Sequence, residues 1–356
     1  MNLLVFEELT ANSQLWRDSS ESMRFEALHM VLAILEDFGK LEAISLFVLV
    51  NEDVRQLLIN ESAALSETLH VIAVDQDPGQ WINAPTISPE QFDSTFVVAP
   101  ETEGLLTQRL RALQSSRWSH ATSLNLDWSL AEVFSDKRAT FDWLKTHGIA
   151  TPATWTLSEF DWLSDGIRED VGSLFVLKPR DGAGSDRVQR LDREHLHLAA
   201  KAVALSEREQ WIVQPWVPGV ACSFGLIGGG LHQSCTILPG AIQRIDENNG
   251  RFAYRGGAVP CETRLWDAML PLALKMQQSL GNFRGYVGVD VVVPMQNSAT
   301  SDQRGDDDFE AQVIEVNPRL CTSYVGYRKL CRQNLAARIL GLPSPDLEWR
   351  SECIEF

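Results

Sequence analysis

The segments Tyr286-Val287-Gly288-Val289-Asp290-Val291-Val292-Val293 and Ala311-Gln312-Val313-Ile314-Glu315-Val316-Asn317-Pro318-Arg319 carry the densest pattern in the chain. Both are rich in β-branched residues and read as strands. Strand side chains alternate between faces, so Val287, Val289, Val291 and Val293 share one face while Asp290 lies on the other. In the second strand Ile314 and Val316 share a face, and Glu315 and Asn317 share the opposite one. Each strand thus offers an apolar face to a core and turns acceptors the other way. If the two pair, Asp290, Glu315 and Asn317 come within the roughly 5 Å reach of cross-strand neighbours. Such oxygens are hard ligands suited to Mg²⁺, which takes one or two carboxylates together with substrate phosphates; the plainer reading is acids facing solvent. Arg319 favours the first reading, because a cation beside a magnesium site has a phosphate to bind. The intervening Met295 to Asp308 is polar and lacks aromatics, and it reads as a solvated connection between strands. Its Asp306-Asp307-Asp308 run lacks a Gly-containing calcium loop.

Three further stretches carry chemistry. Phe175-Val176-Leu177-Lys178-Pro179-Arg180-Asp181-Gly182-Ala183-Gly184-Ser185 ends an apolar strand on a lysine and enters a glycine-rich turn. Glycines let a backbone approach phosphate oxygens, and successive N–H groups cradle an anion; an ordinary hairpin turn is the alternative. The turn is not a Walker A loop, whose lysine follows its glycines, and Arg187 stands where G-x-G-x-x-G needs its third glycine. A second stretch, Leu130 to His147, reads as a helical segment ended by Gly148, with Ser135 as an N-cap ahead of Phe141 and Leu144. Lys137 and Arg138 would then occupy a first turn, where the macrodipole disfavours cations. That marks either an anion site or a surface accident. The third, Trp211-Ile212-Val213-Gln214-Pro215-Trp216-Val217-Pro218-Gly219, is a strand running into a bend, and bends between lobes hold flat ligands. Trp216 reads as pocket wall or as core.

The remainder bounds the answer. At roughly 150 residues per domain, 356 residues make two or three units. The chain has 31 Lys plus Arg against 48 Asp plus Glu, a net charge of −17. That disfavours a nucleic-acid binder, which needs a basic footprint. No run approaches the roughly 18 apolar residues of a membrane span, and the N-terminus lacks the basic flank of a signal peptide. Six cysteines without C-x-x-C spacing read as reduced thiols of a cytoplasmic protein. The first third alternates apolar runs (Leu3 to Phe6, Ile44 to Val50, Val71 to Val74, Phe96 to Ala99) with helical spacing at Phe25, Leu28, Leu32 and Leu35. That pattern predicts a parallel sheet covered on both faces, a Rossmann-like unit without G-x-G-x-x-G. Beyond about residue 117, short strands with Gly-containing turns predict antiparallel α+β structure: Leu174 to Lys178, Trp211 to Val217, Ala221 to Ile227, Gln233 to Leu238, and the two opening segments. A helix is expected over Glu194 to Leu205.

Taken in chain order, the stretches resemble the ATP-grasp superfamily. The resemblance implies a Rossmann-like pre-ATP-grasp domain over residues 1–116 and an ATP-grasp fold over 117–345. The latter would be two α+β lobes clamping ATP, with a lid lobe near 150–217, before a tail at 346–356. It assigns ATP contacts to Lys137, Lys178, Gly182, Gly184, Ser185, Gln214, Pro215, Trp216 and Val217, and magnesium to Asp290, Glu315 and Asn317, with Mn²⁺ as a substitute. Arg319 and Lys178 become the catalytic cations, and Arg255 and Ser323 the residues gripping substrate. The implied activity is ADP-forming carboxylate–amine ligation through an acyl phosphate. The implied partners are a small carboxylate and a small amine, with no nucleic acid or membrane. A narrower resemblance, at Leu4 to Glu7, Ala99 to Leu106, Asp181 to Ser185, Tyr254 to Gly257 and Asn317 to Gly326, is to the branch joining tyramine to glutamate in methanofuran-type cofactor biosynthesis. Two positions depart from the patterns: Thr10-Ala11-Asn12-Ser13 replaces an expected glycine-rich run, and Ala221 stands where a ribose-binding acid is common. A carbamoyl-phosphate-type or peptide-tailoring ligase and a non-catalytic ATP-binding module remain alternatives. Thr322 and Ser323 open the last expected helix, either as its cap or as substrate contacts.

Overall fold

The computed structural model describes residues 1–61, 69–74, 82, 87–114, 117–161, 172–182, 187–230, 234–295 and 310–356. The N-terminal apolar runs form β1 (Asn2–Glu7), β2 (Ser45–Val50), β3 (Leu69–Ala73) and β4 (Ser94–Val98), joined by β5 (Thr122–Ser123) from beyond residue 116. All pairs are parallel, in the order β3-β2-β1-β4-β5. The chain goes outward from β1 through β2 to β3 and then returns to β4 on its other side. The carboxyl ends of β1 and β4 therefore flank a topological switch point, where open α/β sheets bind ligands. Burial on both faces explains the unbroken apolar runs. Leu3 and Val5 pack on Val31, Leu35 and Phe38, while Leu4 and Phe6 pack on Phe92, Leu110 and Trp118. Each such side chain contributes about 1.5–3 kcal/mol.

Helix Glu21–Gly39 covers the first face, but Phe25 is 61% exposed and stacks on His29 instead of entering the core. The first three turns of this helix line a cleft through Ser22, Met23, Glu26, Ala27 and Met30, so mainly the later turns cover the sheet. The C-terminal helix Ser323–Leu330 joins the same core through Tyr324, Tyr327 and Leu330. It is fastened there by Asp37, which accepts hydrogen bonds from Tyr324 Oη (2.8 Å) and Arg328 Nη2 (2.7 Å). It is not the last helix, because Leu335–Ile339 follows.

Glu7 ends β1 and caps the next turn, accepting from the amides of Leu9 (3.2 Å) and Thr10 (2.7 Å). Burial pushes its carboxyl up from 4.5 to about 7, against those hydrogen bonds. The folded state thus holds a proton that the unfolded state releases. The resulting stability is complete below pH 4.5 and is lost as pH rises through 7. Glu7→Gln, which keeps an acceptor for the amides, should remove this component. The difference in melting temperature between variant and parent should widen in the variant's favour from pH 5 to pH 8, and a pH-independent difference would contradict it.

The rest of the chain builds a second, antiparallel sheet. Its strands are β6 (Trp155–Thr156), β7 (Leu174–Pro179), β8 (Gln189–Asp192), β9 (Trp211–Pro215), β10 (Gly219–Gly229), β11 (Thr236–Ile237), β12 (Ala241–Asn248), β13 (Arg251–Val259), β14 (Arg284–Pro294), β15 (Gln312–Asn317) and β16 (Ile354–Glu355). The order is β15-β14-β10-β12-β13-β8-β7-β9-β6, with β11 on β10 and β16 on β13. The expected strand Gln233 to Leu238 shrinks to β11, with 231–233 outside the described residues. The expected tail is partly sheet, since β16 pairs with β13. The alternating valines of β14 are all buried, over a helix at Thr263–Leu280. The helix expected over Glu194 to Leu205 spans Arg193–Ala202. All six cysteines are unpaired. No helix among the described residues is long and apolar enough to cross a membrane.

Candidate active site

The strands β14 and β15 pair as their sequences suggest, with Asp290 directly opposite Glu315 and Gly288 opposite Asn317. A β-bulge shifts the register between Asp290 and Val291, so Val313, not Ile314, enters the core beside Val316. Ile314 is the extra residue and lies on the cleft side with Glu315 and Asn317. Such a bulge re-aims side chains next to a site.

The cleft has a volume of about 1070 Å³ and lies between the first sheet and the second. Asp290 sits at its floor, accepting from Gln243 Nε2 (2.7 Å) and Asn317 Nδ2 (3.0 Å). Burial and the facing Glu315 raise its carboxyl to about 6. Glu315 Oε1 lies 3.1 Å from Lys137 Nζ. Two carboxylates forced together out of water, with an amide beside them, match a hard divalent cation, whose charge would relieve their repulsion. The donor set fits magnesium.

Lys137 reaches the site because the expected helix breaks in two. Segments Trp128–Ser135 and Lys137–Thr146 meet at Asp136, which is extended and caps the second by accepting from the amides of Arg138 (2.9 Å) and Ala139 (3.1 Å). Ser135 is not the cap; its hydroxyl donates to Ala131 O. Asp136 also takes Arg180 in a two-pronged pair, and the Lys137 amide donates to Arg180 O (2.9 Å). The helix start is thereby stapled to the end of β7, and Lys137 Nζ donates to Gly182 O (2.8 Å).

Lys178, the penultimate residue of β7, is 4% exposed and lines the same cleft. No described residue hydrogen-bonds its ammonium. Burial lowers its pKa to about 8, against the pull of Glu315 and Asp290. A buried cation without a partner is costly, unless something anionic enters beside it. Gly182, with φ 114, opens the glycine turn; Gly184 and Ser185 lie outside the described residues, as do 296–309 of the expected solvated connection.

Gln214, Pro215, Trp216 and Val217 form one wall. Gln214 is buried and donates to Thr154 Oγ1 (2.8 Å). Trp216 is half-buried and stacked on Phe252 at 5.6 Å, so it is pocket wall and not core. Arg319 lines the cleft beside Asn317. Ser323 is there too, its hydroxyl 3.2 Å from Tyr286 Oη, while Thr322 Oγ1 donates to Glu26 Oε2 (3.4 Å). Neither side chain caps its helix. Arg255 is not brought to the site. On β13 Tyr254 lines the cleft, whereas Arg255 is exposed and paired with Asp246 at 2.8 Å. Alternation along the strand turns the two apart.

Sequence reasoning missed Gln243, Arg251 and Tyr254, which reach the cleft from the β12–β13 hairpin. A signal was present: Asn249-Gly250, both with positive φ, is a two-residue hairpin turn.

Comparison with known proteins agrees with this architecture. Residues 134–323 match the ATP-grasp domain family. The chain is 24% identical over 265 residues to a tyramine–L-glutamate ligase from Methanocaldococcus fervens, covering 74% of this chain and 71% of that one. It is 23% identical over 244 residues to the enzyme of the same name from Methanocaldococcus jannaschii, covering 68% and 60%. The crystal structure of an ATP-grasp superfamily protein from Archaeoglobus fulgidus superposes with a TM-score of 0.65 at 21% identity, over 98% of this chain and 90% of that one. With the family model spanning more than half the chain and ending inside the helix that closes the site, the protein belongs to the ATP-grasp domain family and is an ATP-dependent ligase.

Proposed function

We propose that the protein joins a small carboxylate to a small amine by way of an acyl phosphate, with glutamate and tyramine, or a similar arylalkyl amine, as the pair. The observation that carries this reading is Lys178, a buried lysine without a hydrogen-bond partner among the described residues, converging in one cleft with Lys137, Arg319 and the acids of β14 and β15.

In this reading Gln214, Pro215, Trp216 and Val217 receive the adenine. Lys137, Lys178 and the glycine turn with Gly182, Gly184 and Ser185 take the phosphates. Asp290, Glu315 and Asn317 would hold magnesium, which supplies charge neutralisation at the phosphate oxygens. A donor carboxylate oxygen attacks the γ-phosphorus and ADP leaves; the amine then attacks the acyl carbon, phosphate leaves and the nitrogen loses a proton. Little covalent work falls to the protein, whose part is positioning and charge. Lys178 and Arg319 face the transferring group, and Ser323 offers a hydroxyl to the donor. The far end of the cleft, at the switch point, is lined by Leu9, Met23, Met30, Glu7 and Glu26. Apolar side chains with carboxylates suit a primary ammonium on an apolar body, and this end is assigned to the acceptor. The identity of the pair is supported by the two relatives' names and by that lining.

The test is ADP release with glutamate plus tyramine, with each alone, and with a panel of other acids and amines, the amide being identified by mass. Turnover that requires glutamate and tyramine together supports the pair. Turnover only with another pair discards glutamate and tyramine but keeps the ligase chemistry, and hydrolysis indifferent to every carboxylate and amine discards both.

A further inference from the structure

Arg319 follows the last residues of β15 on an irregular segment, so the backbone alone does not fix its long side chain. Freezing such a side chain costs rotamer entropy unless something holds it. Glu101, 218 residues away in the loop after β4, does so. Arg319 Nε lies 2.9 Å from its Oε1 and 3.1 Å from its Oε2, with the two side chains 14% and 3% exposed. Nη1 donates to Leu320 O (3.3 Å), and Nη2 has no partner among the described residues. The guanidinium is thus held along its Nε edge while the side chain lines the cleft. Glu101 does not itself line the cleft.

The loop that presents Glu101 is closely determined. Leu106 N donates to Pro100 O (3.1 Å) and Gly104 N to Glu101 O (3.0 Å). Glu103 (φ 55) and Gly104 (φ 67) are consecutive left-handed residues, and strain in a non-glycine residue persists only where surroundings over-determine it. The Glu103 amide donates to Asp181 Oδ2 (2.9 Å), next to the Gly182 carbonyl that Lys137 grips. One short turn of the N-terminal unit therefore touches the site at both Arg319 and the start of the glycine turn.

We propose that Glu101 is a positioning residue: it aims Arg319 at the transferring phosphoryl group, so that the N-terminal unit completes the phosphoryl-transfer site. This rests on the assignment of Arg319 under the proposed function. A pair that merely stapled two units together would also be buried and also cost stability when cut, so the test must separate the two roles.

Glu101→Gln keeps the size and an acceptor but loses the charge. It should lower kcat for ADP release about 10- to 10²-fold, as misplacement of a catalytic group does, while the KM for ATP changes less than about threefold. Glu101→Asp should recover part of the loss. The deciding measurement is the cycle of Glu101→Gln, Arg319→Ala and the double variant, assayed at high enzyme concentration with melting temperatures alongside. If Glu101 acts through Arg319, Glu101→Gln has almost no further effect once Arg319 is alanine. An equal loss in both backgrounds, or a kcat for Glu101→Gln equal to the parent's, overturns the proposal while leaving Arg319 in place. An Arg319→Ala variant as fast as the parent overturns the Arg319 assignment and this inference with it.

Discussion

Lys178→Ala is expected to lose on the order of 10²-fold or more in kcat, about 2.7 kcal/mol of transition-state stabilisation or more. Lys201→Ala, on the exposed face of helix Arg193–Ala202, should keep its rate. The reason lies in the environment of Lys178. The residue is only 4% exposed near the end of β7, and its ammonium has no hydrogen-bond partner among the described residues. The carboxylates of Glu315 and Asp290 pull its pKa up without offsetting burial. The charge is held ready for an anion, and the positive charge supplied in advance needs no reorganisation when the phosphoryl group moves. The apo protein should, by the same logic, gain stability from Lys178→Ala, because a costly buried charge disappears. Slow but stable is the signature expected; equal rates for the two alanine variants would show that Lys178 is not part of the machinery.

The second large effect concerns the metal. Asp290 and Glu315 face each other across β14 and β15, and in their present state Lys137, Gln243 and Asn317 hold them. Neither Gln243 nor Asn317 brings a charge, and the one salt bridge to either acid among the described residues is that of Lys137 to Glu315. ATP with Mg²⁺ should raise the melting temperature by several degrees, since a ligand at about 100 times its Kd adds about 2.7 kcal/mol. ATP with EDTA should raise it far less, and Asp290→Asn should abolish most of the difference between the two. An identical response with and without the divalent ion would remove Asp290, Glu315 and Asn317 from the role of metal ligands.

Periodicity made the parallel sheet and the strand pair β14–β15 legible, because both signals are local: apolar runs buried on two faces, and valines alternating with an acid. What escaped depends on contacts that no local pattern encodes. Val313 and Val316 share a core although they are three positions apart, because a bulge at Ile314 resets the alternation. The hairpin β12–β13 is almost as polar as a loop, since its outer part is exposed; only Asn249-Gly250 betrays it. Gln243 meets Asp290 across 47 residues and Arg319 meets Glu101 across 218, distances at which sequence spacing says nothing. Arg255 lies outside the cleft because no strand was expected over its motif, and the face it occupies is fixed only when β13 pairs with β12. The helix predicted over Leu130 to His147 broke because Asp136, directly ahead of Lys137 and Arg138, is a better N-cap than Ser135.

The most direct measurement follows an oxygen atom. The donor acid is labelled with ¹⁸O in its reacting carboxylate and incubated with ATP, Mg²⁺ and the amine that supports ADP release, and the inorganic phosphate is weighed by mass spectrometry. Attack of the carboxylate on the γ-phosphorus leaves its oxygen bridging carbon and phosphorus, and amide formation then breaks the carbon–oxygen bond. Each phosphate should therefore carry a single labelled oxygen, in step with amide and ADP. Amide formed alongside unlabelled phosphate, or alongside AMP and pyrophosphate, would contradict ligation through an acyl phosphate.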